Sequence, residues 1–299
     1  MDIMALVGAF GGGVVGAYLG ALPAFIITGL FALVGGIAGA LGLDNGFIIN
    51  TLAFGPFLGP HVAFAGGVAA AAYAGKKGKL ENGGDILSAL YGLGQADVLC
   101  IGGVFGVLGF LVAYAVGLTP LNVLTDLPGI TVFILAVVCR LLFGKTGITG
   151  NYCGTCKRSW YSGGPGFTNN LVWGLGVGIA VSFAAASMST LPNWDSISGW
   201  FHIICFGFSA FTLIFTQTGF AVPSTHHLTL PGGYAAVVGI TAFGPAGALL
   251  GVVFAVAAAL FGDIVTCSLN SHCDTHIDPP ATTIFIFMII ANLVKAAIL

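Results

Sequence analysis

The chain has 299 residues, of which 57% are hydrophobic and only 6% are charged, and its formal net charge is -2. Soluble domains carry about 25% charged residues, so a mean hydropathy of +1.04 excludes an ordinary soluble globular protein. The small negative charge gives no indication of nucleic-acid binding. The composition predicts an all-α integral membrane protein.

Uninterrupted apolar stretches of about 17–25 residues can cross the hydrocarbon core as helices. In the first of them, Gly8, Gly12 and Gly16 are four residues apart, which predicts close packing against another segment. Such stretches lie near 4–21, 23–43, 98–118 and 128–144, and then near 170–189, 198–214, 246–263 and 280–298.

Two further apolar segments, 46–74 and 216–241, are interrupted by proline and glycine. Residues 55–60 are Gly-Pro-Phe-Leu-Gly-Pro, and residues 221–227 are Ala-Val-Pro-Ser-Thr-His-His. Irregular backbone at membrane depth survives only where protein or a water-filled cavity surrounds it. We therefore predict broken helices near 55–60 and 221–227, of the kind that frame binding sites in transporters.

Matching segments indicate an internal duplication. His61–Ala70 matches His227–Ala236 with five identities in ten, and Asp126–Ile134 matches Asp278–Ile286 with five identities in nine. The shared His, Asp, Pro and Gly-Gly positions are not explained by apolar composition. We predict two homologous halves, with a first membrane repeat at 1–145, a polar linker at 146–165 and a second membrane repeat at 166–299.

The number of spans depends on whether the broken segments cross the membrane or turn back. If both cross, the chain has about ten transmembrane helices and the halves are inverted repeats; if both are re-entrant, it has eight and the halves run parallel. We favour ten, because inverted repeats commonly frame a midplane site. In either arrangement, seven of the eight lysine and arginine residues fall on the same side of the membrane as the linker. The linker is therefore predicted to be cytoplasmic, in a multi-pass protein of the cell (inner or plasma) membrane.

Three histidines at the interruptions are candidate pathway residues. His61 and His227 occupy matching positions, and His226 is adjacent to the second. An ionisable side chain inside a membrane segment is costly, and its default interpretation is functional. The alternative is that these imidazoles bond to carbonyl groups that the proline breaks leave free.

Asp126 and Asp278 precede the last predicted span of each half and are followed by proline. This pattern is typical of a helix start, where the carboxylate caps free N–H groups. The alternative is that both carboxylates face the solute pathway. One turn further on, hydroxyls would be added by Thr131, Thr282 and Thr283.

The loop 272–278 contains several potential metal ligands. Zinc or another divalent metal could be bound by His272, Cys273, Asp274 and His276. The matching loop of the first half, 119–126, has only the aspartate, so a metal site would not be shared by the two halves. Cys153-Gly-Thr-Cys156 is a single CxxC motif and a weak signal. No cofactor is predicted, with zinc as the alternative.

Together these features predict a membrane channel or secondary transporter for a small polar solute, with a pathway between the two repeats lined by His and Asp. The layout of five spans per half with a broken segment resembles that of urea-transporter-like channels, which implies a similar architecture.

The predicted partners are the lipid bilayer and a small-molecule solute, and the glycine-rich faces would allow a homo-oligomer. The protein is not predicted to be an enzyme. The alternatives are a membrane-embedded metalloenzyme or metal-ion transporter that uses the 272–278 loop, and a membrane subunit of a larger complex.

Overall fold

The structure, a computed structural model, describes residues 2–43, 46–152 and 157–299. Within these residues the regular structure is helical, apart from one isolated bridge between Gly83 and Thr275. The prediction of an all-α protein is confirmed. The eleven α-helices of the described residues are α1 (Ile3–Leu19), α2 (Ala21–Ala40), α3 (Ala65–Lys76), α4 (Ala96–Gly117), α5 (Leu127–Phe143), α6 (Pro165–Met188), α7 (Trp194–Phe211), α8 (Ile214–Gln217), α9 (His226–Phe243), α10 (Leu249–Leu269) and α11 (Pro279–Ile298).

Six helical segments of the described chain are long and apolar enough to cross a membrane. The helices α1 and α5 are apolar but shorter. Large apolar side chains such as Phe183 and Val253 are 72% and 62% exposed, as expected for surfaces that lie against lipid. The chain is therefore a multi-pass membrane protein. The six segments are Ala21–Ala40, Ala96–Gly117, Pro165–Met188, Trp194–Gln217, Pro245–Leu269 and Pro279–Ile298.

Helices α2 and α7 pack antiparallel along their length. At one end Ser196 Oγ donates to Ala40 O over 2.9 Å, and at the other end Gly29 lies against Ala210. Between them Gly207 lies against the backbone of Leu33. Small residues let two backbones approach closely, which favours association of helices in a membrane.

The other long helices form two groups. In one group, α1 contacts α3 and α4, α3 contacts α4 and α5, and α4 contacts α5. In the other group, α6 contacts α9 and α10, α9 contacts α10 and α11, and α10 contacts α11. The two groups therefore have the same pattern of pairwise contacts. The two groups meet where α5 packs on α11, and the α2–α7 pair contacts the second group where α7 packs on α9.

One side of the molecule, here called the linker face, gathers the ends of several helices. Lys76 Nζ at the end of α3 donates to Leu142 O near the end of α5 over 2.8 Å. The Lys145 amide, just after α5, donates to Asp274 Oδ2 in the α10–α11 loop over 2.8 Å. The ends of α3, α5 and α10 therefore lie together at the linker face.

The first interrupted segment is a helix broken in its middle. A π-helical turn at Ile48–Ala53 is followed by irregular backbone at 54–59, and a second π-helical turn at Pro60–Phe64 leads directly into α3. The Leu58 carbonyl accepts a 2.7 Å hydrogen bond from the buried hydroxyl of Thr28. A hydroxyl of α2 thus satisfies a carbonyl that the break leaves without a helical partner.

Glycines of α1 make room for this break. A Cβ on Gly12 would overlap the Phe57 carbonyl oxygen, and a Cβ on Gly16 would overlap that of Ala63. Gly8 lies on the same side, where a Cβ would be 3.7 Å from the Pro56 side chain. The three glycines therefore form the surface on which the broken segment packs.

The second interrupted segment differs from the predicted boundaries. Residues 218–225 are not helical, but α9 begins at His226 and continues through Pro231. The interruption therefore ends at Thr225, the N-cap of α9, and not at residue 227. His226 and His227 lie in the first turn of a helix.

Candidate functional site

The two aspartates predicted at helix starts both cap a helix. Asp126 Oδ1 accepts from the Gly129 amide over 2.6 Å at the start of α5. Asp278 Oδ2 accepts from the Ala281 amide over 2.7 Å at the start of α11. Proline in the first turn of each helix has no N–H to leave unpaired. Asp126 and Asp278 are therefore the N-caps of α5 and α11.

The N-terminal turns of α5 and α11 lie against each other. The Thr125 hydroxyl donates to Phe285 O over 2.6 Å. A Cβ on Gly129 would be 3.1 Å from Ala281 O, so glycine at this position allows the close approach. Two capped helix N-termini, each with a partial positive charge, therefore meet inside the molecule.

Each of these two helices also holds the chain segment that leads into the other. Arg140 of α5 donates from Nε to Thr275 Oγ1 and from Nη2 to Thr275 O, over 2.8 and 2.6 Å. Asn292 of α11 donates to Leu124 O over 3.1 Å. Arg140 and Asn292 are 152 residues apart, the same offset that relates Asp126 to Asp278. The segment before each aspartate is thus tethered at matching positions of the two helices.

A cavity lies beside the two helix starts. Its empty volume is about 590 Å³, part of which is open to solvent. Asp126, Asp278, His226 and Ser224 are its polar or ionisable lining side chains, and most of the remaining lining is apolar or aromatic. The aromatic side is formed by Phe25, Phe54, Phe64 and Phe206.

The three candidate histidines are separated by the fold. His226 lines the cavity, with its ring centroid 4.8 Å from that of Phe25. His227 turns towards Gly262 of α10 and the Trp173 ring, and lines a second pocket. His61 is 5% exposed, its carbonyl lies against Gly109 of α4, and it lines neither of these two spaces.

The three candidate threonines are buried and do not line the cavity. Thr282 Oγ1 donates to Asp278 O over 2.8 Å, and Thr283 Oγ1 donates to Pro279 O over 2.9 Å. Both hydroxyls thus bond back to the first turn of their own helix. Thr131 Oγ1 makes no hydrogen bond with any described residue.

The second pocket, here called the vestibule, adjoins the cavity at Asp278, Ser224 and Ile86. Its empty volume is about 790 Å³, with part of it open to solvent. It is more polar than the cavity, because its lining includes Asn170, His227, Asp263, Thr266, Asn270 and His276. His276 Nε2 lies 3.1 Å from Asp278 Oδ1, and its Nδ1 lies 3.1 Å from Asn270 Nδ2. The vestibule therefore brings polar side chains of the α10–α11 loop next to the cavity.

The four potential metal ligands of the 272–278 loop have separate partners. His272 stacks on Tyr152 at 4.2 Å between ring centroids, whereas Cys273 Sγ bonds to main-chain carbonyls and His276 faces Asp278. Among the described residues, no three His, Cys, Asp or Glu side chains are grouped so that they could hold a metal ion. Cys153 and Cys156 of the CxxC motif lie outside the described residues.

Asp274, the fourth of these ligands, anchors the loop to the linker. Its carboxylate accepts from Thr146 Oγ1 and from the Lys145 amide, each over 2.8 Å. Burial raises the pKa of Asp274, but the hydrogen bonds outweigh that effect and hold the pKa below its ordinary value. Asp274 therefore remains ionised at neutral pH and stabilises the loop through these contacts.

Sequence reasoning did not single out Arg140, Asn292 or Ser224 as site residues. Arg140 entered the sequence analysis only as one of the seven basic residues assigned to the linker side of the membrane. A signal was present for the first two, because a polar side chain inside an apolar span is costly and they share the offset of the aspartates. Ser224 gave no such signal, since its place in the cavity depends on how residues 218–225 fold.

The helical fold defines a multi-pass membrane protein, and its candidate site is the largely apolar cavity where α5, α9 and α11 meet, with Asp126, Asp278, His226 and Ser224 as the polar side chains. The chain belongs to the family of unknown function DUF7973, whose model matches residues 1–156 and 194–299. No curated protein and no solved structure matches the chain.

Proposed function

We propose that this protein is a membrane channel or secondary transporter for a small polar solute, with its pathway between two homologous halves. The observation that carries the proposal is the cavity, because it is lined by matching positions of both halves. A pathway at the interface of duplicated halves is typical of secondary transporters. The matching pairs that line the cavity are Asp126 with Asp278, Gly129 with Ala281, Val132 with Ile284, and Phe64 with Leu230.

The proposed architecture is a pair of inverted repeats with ten crossings. The equal contact patterns of the two helix groups and the matching tethers at Arg140 and Asn292 support the repeat. The antiparallel packing of the matching helices α2 and α7 supports the inversion.

The course of the first broken segment supports a crossing and not a re-entrant turn. The Leu22 amide at the start of α2 donates to Ile86 O over 2.7 Å, in the loop whose Gly83 pairs with Thr275 near the linker face. The helix α2 therefore ends on the opposite side of the molecule. The broken segment starts there and, through α3, ends at Lys76 on the linker face.

The ten-crossing arrangement predicts that the N-terminus and the linker lie on opposite sides of the cell membrane. The basic residues at the linker face favour a cytoplasmic position for that face. An epitope tag before residue 1 should be labelled by antibody on intact cells, whereas a tag inserted between Gly163 and Gly164 should be labelled only after permeabilisation. Equal behaviour of the two tags would support the eight-span alternative.

Solute flux through proteoliposomes tests the proposed function directly. Purified protein is expected to accelerate equilibration of at least one small solute from a panel of urea, acetate and guanidinium. Ser224 lines both the cavity and the vestibule, so the larger side chain of Ser224→Trp should fill space that the solute needs and reduce flux towards that of empty liposomes. Stopped-flow light scattering for urea and acetate, and radiolabelled uptake for guanidinium, provide the measurement.

The matched control is Ala221→Trp, in the same irregular segment but at an exposed position. This variant should retain the flux of the unmodified protein. If no solute of the panel moves faster than in empty liposomes, or if both tryptophan variants reduce flux equally, the proposed pathway is wrong.

A further inference from the structure

Among the residues that the structure describes, the aspartates are the fixed charges that line the cavity and the vestibule. Asp126 and Asp278 line the cavity, and Asp278 and Asp263 line the vestibule. Among the described residues that line the two spaces there is no lysine or arginine. A recess with low-dielectric walls and one sign of charge concentrates ions of the opposite sign. The lining therefore disfavours an anion.

The cavity also offers unused hydrogen-bonding capacity at its polar end. Both oxygens of Asp278 are engaged, one by His276 and the other by the Ala281 amide. Asp126 uses Oδ1 to cap α5, and its Oδ2 makes no hydrogen bond with a described residue. His226 is only 4% exposed, lines the cavity, and its Nδ1 has no partner among the described residues. The Asp126 Oδ2 atom of the ionised carboxylate only accepts hydrogen bonds, whereas His226 Nδ1 donates or accepts according to its tautomer. This end of the cavity is therefore suited to a ligand that carries N–H donors.

The rest of the lining distinguishes an organic cation from a metal ion. Hard metal cations need about six or more oxygen ligands, whereas among the described lining residues of the cavity only Asp126, Asp278 and Ser224 have side-chain oxygen atoms. Phenylalanine rings form a continuous wall, in which Phe25 is 5.6 Å from Phe64 and 5.8 Å from Phe206 between ring centroids. Aromatic faces attract organic cations and pack against their apolar parts.

We infer that the solute of this site is a small organic cation with N–H donors, of the ammonium or guanidinium class, which is bound at Asp126 and reached from the linker face through the vestibule. This inference rests on the proposed function and specifies its substrate class. The Asp126 Oδ2 atom accepts from the cation, and the charge of Asp278 adds to its attraction. Guanidinium and carboxylate groups form strong charge-assisted hydrogen bonds.

Guanidinium and urea are a matched pair for the test, because they have nearly the same size and planar shape but differ in charge. Uptake of radiolabelled guanidinium and urea is measured in the same proteoliposomes, with the membrane potential held by potassium and valinomycin. We expect guanidinium uptake to exceed urea uptake. Asp126→Asn should reduce guanidinium uptake more than about tenfold, since removal of one partner of a buried charge pair has an effect of that size.

The choice of variant separates charge from folding. Asparagine is as good an N-cap as aspartate, so Asp126→Asn retains the helix start. Asp2→Asn is the control, because Asp2 caps α1 in the same way but is exposed at the N-terminus, and it should leave uptake unchanged.

The outcomes are distinct for the two proposals. Urea uptake without guanidinium uptake, or guanidinium uptake that Asp126→Asn does not reduce, overturns the cation inference and leaves the transport proposal standing. Absence of uptake for every solute of the panel overturns the transport proposal itself.

Discussion

Replacement of Arg140 by methionine is expected to lower the free energy of unfolding by about 3–5 kcal/mol. Arg140 is 2% exposed, and its guanidinium donates to Thr275 Oγ1 and to the carbonyls of Ile148, Leu269 and Thr275. Methionine retains most of the side-chain volume but no donor. The three carbonyls and the Thr275 hydroxyl would therefore lose their charged partner in a part-buried region. In detergent, thermal unfolding should begin on the order of 10 °C lower.

Two further variants make this expectation specific. Arg140→Lys retains the charge but has no planar fork of donors, so its unfolding temperature should fall between those of the methionine variant and the unmodified protein. Lys157→Met removes a charge from an exposed position near the same face and should change stability by less than about 0.5 kcal/mol. Equal unfolding temperatures for Arg140→Met and Lys157→Met would show that the Arg140 contacts do not stabilise the fold.

The membrane class and the helical content could be predicted because the bilayer imposes simple requirements on a sequence. A span needs about 20 apolar residues, and a contiguous stretch of sequence shows by itself whether this requirement is fulfilled. The helix starts at Asp126 and Asp278 could be predicted for the same reason, because N-capping by a carboxylate followed by proline involves four or five neighbouring residues. The irregular backbone at 54–59 followed from the proline and glycine residues within it.

The choice among the histidines could not be made from the sequence. His226 and His227 are adjacent, and neighbouring residues of a helix point about 100° apart. A polar–apolar stripe normally shows which face is inward, but a membrane helix is apolar on all sides. Which of the two faces the cavity therefore depends on the rotation of α9 against α7 and α10. The internal match drew attention to His227, whereas the residue that lines the cavity is His226.

The burial of Arg140 could not be predicted from the sequence either, but for a different reason. A basic residue near the end of a span is normally counted as a charge at the cytoplasmic surface. Its partners at Ile148, Leu269 and Thr275 lie in segments without regular structure or at a helix end. Only the folded arrangement of the linker and the α10–α11 loop brings their carbonyls to one guanidinium.

Gly12→Ala is expected to disturb the broken segment, whereas Gly11→Ala is not. A Cβ on Gly12 would overlap the Phe57 carbonyl oxygen and lie 2.8 Å from that of Pro56. The obstacle is backbone, which cannot rotate away as a flexible side chain can. Overpacking of this kind costs about 1–3 kcal/mol of stability. The backbone that would be displaced is the irregular segment 54–59. This segment leads into Pro60 and Phe64, whose side chains line the cavity. Both the unfolding temperature and solute flux should fall.

Gly11 is a control from the same turn of α1. A Cβ at that position would meet no atom within 4 Å, and alanine is a better helix former than glycine. Gly11→Ala should therefore retain flux and unfold at the same or a slightly higher temperature. If the two alanine variants are indistinguishable in both measurements, the break does not pack on α1 as described. If Gly12→Ala lowers stability but leaves flux unchanged, the break stabilises the helix bundle without shaping the pathway.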